Sequence, residues 1–213
     1  MTRMIWTWIL ASFLVFGLFA FGCDTGGGGG GDDGGDDDGG GDIPGVPDDV
    51  NDFLNQDDIN KLEDAGMTIH TGDNPPNVEG TYDLDSLVIT YDEVGMDGYP
   101  IDYYWIKYYD QTDDGKIKLD YEGAGGADVG NGLGAFISGD GKCFTVYIDT
   151  KGNNGGCDYE MPSLHSGCLE TAGIKDFQWG FIMKKKSGDN CDYLMPVDAA
   201  RIVDETDGMA SKQ

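Results

Sequence analysis

Basic side chains are scarce in this 213-residue chain: 13 Lys and Arg stand against 40 Asp and Glu, for a formal net charge of −27. That balance excludes a nucleic acid as partner, because affinity for a phosphate backbone rests on cationic side chains that release condensed counterions. Anionic lipid headgroups are repelled for the same reason. Histidine is equally rare, with only His70 and His165, and no Cys-x-x-Cys occurs, so the ligand spacing of a zinc site is missing. No phosphate-cradling glycine loop and no metal-ligand helix is present. His165 lies in "SLHS", between Ser163 and Ser166, without a supporting acid or a nucleophile elbow. With 40 acidic residues any one carboxylate pair is uninformative. The chain therefore reads as non-catalytic, with no cofactor and no metal site.

Charge is also missing from the beginning of the chain. After Met1–Arg3, residues 4–21 carry none. This run is long for a cleaved signal, where about 7–15 apolar residues are usual, and short for a membrane span of about 20. "AFGC", Ala20 to Cys23, resembles a bacterial lipobox with Ala in place of the usual first Leu. The resemblance implies a signal peptide over 1–22 and a mature N-terminus at Cys23 that carries palmitate or similar acyl chains, each buried methylene contributing about 0.8 kcal/mol. An uncleaved anchor is the alternative. Either way the membrane is a partner through the anchor.

Residues 24–49 hold nine Asp, no Lys or Arg and almost no apolar side chain, so nothing offsets the entropy of ordering them. They read as a disordered tether with a root-mean-square span of about 28 Å, lengthened by repulsion among the aspartates. Asp24 resembles an inner-membrane retention signal of some bacteria, and the acidic run resembles a surface-export signal of others. The cell envelope follows, with the outer membrane or cell surface favoured over the inner membrane.

From Val50 onward about 164 residues remain, enough for one core. Val50, Phe53, Leu54, Ile59 and Leu62 mark a helical segment over 50–66 ending at Gly66, and Pro75 and Pro76 then forbid regular structure. Beyond them the period is two. Ile117, Leu119 and Tyr121 share one face, as do Phe177, Trp179, Phe181 and Met183. Tyr82 and Leu84 are in phase, whereas Leu87, Ile89 and Tyr91 follow with shifted parity, which predicts a bulge near Asp85. Eight strands are expected, over roughly 80–91, 101–110, 116–123, 133–138, 143–150, 158–171, 176–186 and 198–204. The fold class is all-β, an antiparallel up-and-down barrel over 67–207 with a flexible tail at 208–213. A two-sheet sandwich is the alternative.

A short helix, "GTY" at Gly80–Tyr82 opening the first strand, and Arg201 on the last strand together resemble the lipocalin or calycin-like barrel, over about residues 68–205. The resemblance implies that Arg201 packs over the Tyr82 ring and closes one end, with Tyr82 standing where the family has Trp. It also implies an interior that holds a small apolar ligand, lined by Trp105, Phe144, Phe177, Trp179 and Phe181. The reading from another class is a surface adhesion or carbohydrate-binding domain. "DYYWIKYYD" supports it, since Tyr103, Trp105 and Tyr109 face one way and Tyr104, Ile106 and Tyr108 the other, which leaves one row for the outside.

Four cysteines remain beyond Cys23, an even number in a secreted chain. Centring one turn near Gly155–Gly156 sets Cys143 opposite Cys168, and centring the next near Ile174 sets Cys157 opposite Cys191. Those two pairs are favoured over the other connectivities. "DQTDDGKIKLDY" begins like an EF-hand loop at Asp110 but has Tyr121 where a bidentate Glu belongs, so a hairpin turn is the better account.

Overall fold

A computed structural model describes residues 48–213. The expected signal segment 1–22, Cys23 and the tether up to residue 47 lie outside the described residues.

The helical segment comes in two pieces. A 3-10 turn over Asp48–Asp52 is followed by helix α1, Gln56–Asp64. Asn55 separates them because its extended backbone (φ −87°, ψ 170°) caps α1. Its side chain accepts from the Asp58 amide, and the Asp58 carboxylate accepts from the Asn55 amide. This reciprocal box satisfies two amides that the first turn cannot.

Fourteen strands follow. They are β1 (Asp73–Asn74), β2 (Gly80–Leu84), β3 (Leu87–Asp92), β4 (Tyr104–Tyr109), β5 (Lys116–Gly123), β6 (Asp128–Asp140) and β7 (Cys143–Ile148). Next come β8 (Lys151–Asn154), β9 (Cys157–Glu160), β10 (Ser163–Glu170), β11 (Gly173–Ile182), β12 (Lys185–Gly188), β13 (Ala200–Glu205) and β14 (Met209–Lys212). Several are halves of one bent strand, such as β2 with β3 and β13 with β14. The antiparallel ladder runs β2, β4, β5, β6, β7, β10, β11, β14 and back to β2, so eight strands close into a barrel. A closed ladder leaves no edge and rules out the two-sheet sandwich. The expected flexible tail is corrected as well: Met209–Lys212 is paired on both sides, with β11 and β2. β8, β9 and β12 extend the wall beyond one end of the barrel.

The alternation predicted for β5 and β11 places Ile117, Leu119, Tyr121, Phe177, Trp179 and Phe181 in the interior cluster. Leu87 and Ile89 also point inward, so the parity shift at Asp85 is present. Tyr91 does not follow them. A second register shift, between Ile202 and Val203, turns it to the outer face, where it packs against the helix cluster. That outer cluster joins Val50, Leu54, Ile59 and Leu62 to Tyr147, Leu164 and Ile202 on the barrel wall. The barrel thus has two apolar layers, one inside it and one beneath α1.

Both disulfides have the predicted connectivity, Cys143–Cys168 and Cys157–Cys191. The first joins residues directly opposite on β7 and β10. The second ties the start of β9 to a 3-10 turn at Cys191–Tyr193.

Candidate functional site

The two ends of the barrel differ. At the end where β2 begins, Val78 is fully buried beneath the barrel core, and the Tyr82 hydroxyl donates to the Val78 carbonyl at 2.9 Å. Gln111 donates to the Pro76 carbonyl and accepts from the Val78 amide, both at 2.9 Å, so this segment is strapped across the opening. The cation over the Tyr82 ring is Lys212, with Nζ 5.6 Å from the centroid. Arg201 is elsewhere: it lies opposite Asp92, its Nε 2.5 Å from an Asp92 oxygen. The expected Arg201–Tyr82 closure is therefore corrected. In an antiparallel pair the residue beside the start of the first strand comes from the end of the last, and the last strand runs on to Lys212. Gly80 does sit at a tight approach. Its φ is +152°, which disfavours any side chain, and a Cβ there would also push aside the end of Lys212, whose Cε lies 2.8 Å away.

The opposite end is open and holds a cavity of about 280 Å³. Trp179 is its floor and the hub of an aromatic group, with ring centroids 5.6 Å from Tyr104, 5.6 Å from Tyr121, 5.3 Å from His165 and 5.4 Å from Phe181. Only 4% of Trp179 is exposed, and its Nε1 has no hydrogen-bond partner. One wall is polar: Tyr104 and Tyr159 donate to the two oxygens of Asp128 at 2.7 and 2.6 Å, and Tyr121 bonds Tyr159. Burial first, and then the Asp128 charge, raises the Tyr104 and Tyr121 hydroxyls above the usual tyrosine range; for Tyr159 burial is followed by Tyr121 and Asp128. All three stay protonated donors. Glycine makes this wall possible, since a Cβ on Gly130 would lie 2.3 Å from the Tyr121 hydroxyl oxygen and one on Gly152 would lie 2.4 Å from that of Tyr159. Two exposed loop residues, Met96 and Tyr99, rim the mouth, with Tyr193, Leu194 and Met195 on the other side.

Of the interior residues expected from sequence, Trp179 and Phe181 line this cavity. Phe144 and Phe177 belong to the buried interior cluster and do not reach it. Trp105 is a correction: it is only half-buried and alternates with the buried Ile106, on the outer face with Tyr103 and Tyr109. Tyr104, Tyr159 and Asp128 were missed. For Tyr104 a signal existed, because Gly123 lies opposite and a Cβ there would approach the Tyr104 Cζ to 2.9 Å. Asp128 opens a glycine-rich stretch and carries no such mark.

His165 lies at the barrel centre, 1% exposed, with Nδ1 2.7 Å from the Tyr108 hydroxyl and its ring against Phe177 and Trp179. Burial lowers its pKa to about 3, so it is neutral in ordinary buffers. The EF-hand-like stretch forms the β4–β5 hairpin turn, as expected. Asp110 pairs with Lys118 and Asp114 with Lys116, beside a polar cleft of about 620 Å³ at the closed end. Glu205 is the other notable buried group. It is 4% exposed, and its carboxylate oxygens make no hydrogen bond of normal geometry. Burial and then the Asp207 charge raise its pKa to about 7, which the nearby Ser86 and Asp85 amides offset only in part.

No protein-family model matches the chain, and neither a curated protein nor a solved structure is significantly similar to it.

Proposed function

We propose that this is a lipid-anchored cell-envelope protein whose barrel takes up a small, neutral, largely apolar molecule at its open end, without catalysing a reaction. The observation that carries the reading is the open-end cavity floored by Trp179, whose buried Nε1 has no hydrogen-bond partner. Buried polar groups nearly always have partners, so a ligand with one acceptor atom near the indole completes the site. The surroundings disfavour an anion. Asp128 lines the cavity, while the nearby Arg201 guanidinium is engaged by Asp92 and by Met96. Exposed apolar side chains at the rim, Met96 and Tyr99, suit the entry of an apolar molecule.

The second reading, a carbohydrate-binding or adhesion surface, is favoured by the outer row of Tyr103, Trp105 and Tyr109 on β4 and the residue before it. Tryptophan fluorescence separates the two. Within residues 24–213 only Trp105 and Trp179 are present, so a Trp105→Phe form reports on the cavity and a Trp179→Phe form on the outer row. Saturable quenching or a blue shift of Trp179 by 1-octanol, and competition with the neutral dye N-phenyl-1-naphthylamine, is the expected result. An unresponsive Trp179, together with a Trp105 signal that saturates with oligosaccharides, would replace the first reading by the second. The anchor rests on the resemblance of Ala20–Cys23 to a lipobox. Metabolic labelling with palmitate in the native host is expected to require Cys23, and a Cys23→Ala form that still labels sinks it.

A further inference from the structure

We propose that Asp85, Glu205 and Asp207 form a calcium site on the seam where the barrel closes. Asp85 is in the break between β2 and β3, and Asp207 in the break between β13 and β14. These two bends face each other and are held together: the Thr206 amide and hydroxyl both donate to the Ser86 carbonyl, at 3.0 and 2.7 Å. One carboxylate oxygen from each of the three acids lies within 4.8 Å of the others. That is the span of two Ca–O bonds of about 2.4 Å across a single ion.

Acidic clusters are common on a chain of this charge, and Glu205 sets this one apart. Asp85 and Asp207 are exposed, but Glu205 is buried, and neither of its oxygens has a hydrogen bond of normal geometry, the nearby Ser86 and Asp85 amides offsetting its charge only in part. A buried carboxylate is ordinarily matched by a base or by several donors, because its desolvation costs several kcal/mol. Here its nearest charged neighbours are two further carboxylates, and none of the ion pairs among the described residues includes any of the three. The missing charge is a cation. All-oxygen ligands without nitrogen or sulfur suit a hard ion. Three side-chain ligands in an irregular corner, with the exposed side left to water, suit calcium better than the strict octahedron of magnesium. The bound ion bridges the first and last strands beside Leu84 and Leu87, where the closing ladder is interrupted. Few ligands and an open side place the dissociation constant at about 10⁻⁴–10⁻³ M, the range of extracellular calcium modules.

The test is calorimetric titration and thermal denaturation of the full chain with CaCl₂ and with MgCl₂ at constant ionic strength. One saturable calcium site is expected, with a melting temperature raised by about 3–5 °C at ten times the dissociation constant. Asp85→Asn/Asp207→Asn is expected to bind at least tenfold more weakly and to lose the shift. A charge-matched control at exposed positions, Asp102→Asn/Asp189→Asn, is expected to keep both. Glu205→Gln preserves shape, so it should melt above the unsubstituted protein without calcium and gain nothing when calcium is added. A calcium shift of equal size in the unsubstituted chain and both double variants, reproduced by MgCl₂, is charge screening and overturns the proposal. So does a Glu205→Gln form that binds calcium like the unsubstituted protein.

Discussion

Removing both disulfides is expected to cost the domain on the order of 7 kcal/mol, leaving it at or below the threshold of folding. Cys143 and Cys168 are 25 residues apart, and Cys157 and Cys191 are 34 apart. Cross-links over loops of this length restrict the unfolded chain by about 3.5 kcal/mol each, against a total stability of about 5–15 kcal/mol for a domain. Urea denaturation of the oxidised protein and of the two Cys→Ser pairs measures the separate contributions, and an unchanged midpoint after reduction would contradict this account. The two bonds should differ in a second respect. Cys143–Cys168 joins residues already opposite on paired strands, on the side away from the cavity. Cys157–Cys191 holds the segment that brings Tyr193, Leu194 and Met195 to the cavity mouth. Cys157→Ser/Cys191→Ser should therefore weaken binding of N-phenyl-1-naphthylamine under conditions where the domain remains folded, and Cys143→Ser/Cys168→Ser should not.

Acid should act through His165. Its folded pKa of about 3 lies below the ordinary value of 6.5, so below pH 6.5 the unfolded chain binds a proton that the folded chain refuses. Stability from this group is complete above pH 6.5 and is lost progressively as pH falls toward 3. At 1.36 kcal/mol per pKa unit the loss is on the order of 4–5 kcal/mol. Glu205 works in the opposite sense. Its folded pKa of about 7 lies above the ordinary 4.5, so its burial penalty is complete above pH 7 and is relieved as pH falls toward 4.5. The His165 contribution is isolated by comparison with His165→Gln, which keeps a polar partner for the Tyr108 hydroxyl without the titration. The difference in unfolding free energy between the two proteins should change by several kcal/mol from pH 7 to pH 3.5. Parallel curves would show that His165 is hydrated or already charged in the folded state.

Much of this architecture is legible in local pattern, because a half-buried strand must alternate and a helix must be capped. Ile117, Leu119 and Tyr121 and the phase change at Asp85 are short-range consequences of a period of two, and the opposition of Cys143 to Cys168 follows from where the intervening turn is centred. Where two faces were equally apolar the same rule was silent. On β4 alternation alone left the Tyr104 and Trp105 rows equivalent, and the residue expected inside, Trp105, lies on the outer row. The choice fell to Tyr104 because its ring lies over Gly123 on the neighbouring strand.

Composition and short-range pattern account for an acidic, all-β domain with a helical preface and an inward aromatic row on β11, and the positions of two turns account for the cross-links. Long-range strand pairing sets which end is closed and what each end contains. Met209–Lys212 is short and half polar, and carries no strand signal of its own; it becomes a strand because β11 and β2 leave it two ladders to complete. That pairing brings Lys212 to Tyr82 and leaves Arg201 with Asp92 at the open end. It also sets Glu205 beside Asp85, acids 120 positions apart, because closing a sheet juxtaposes its first and last strands by geometry alone.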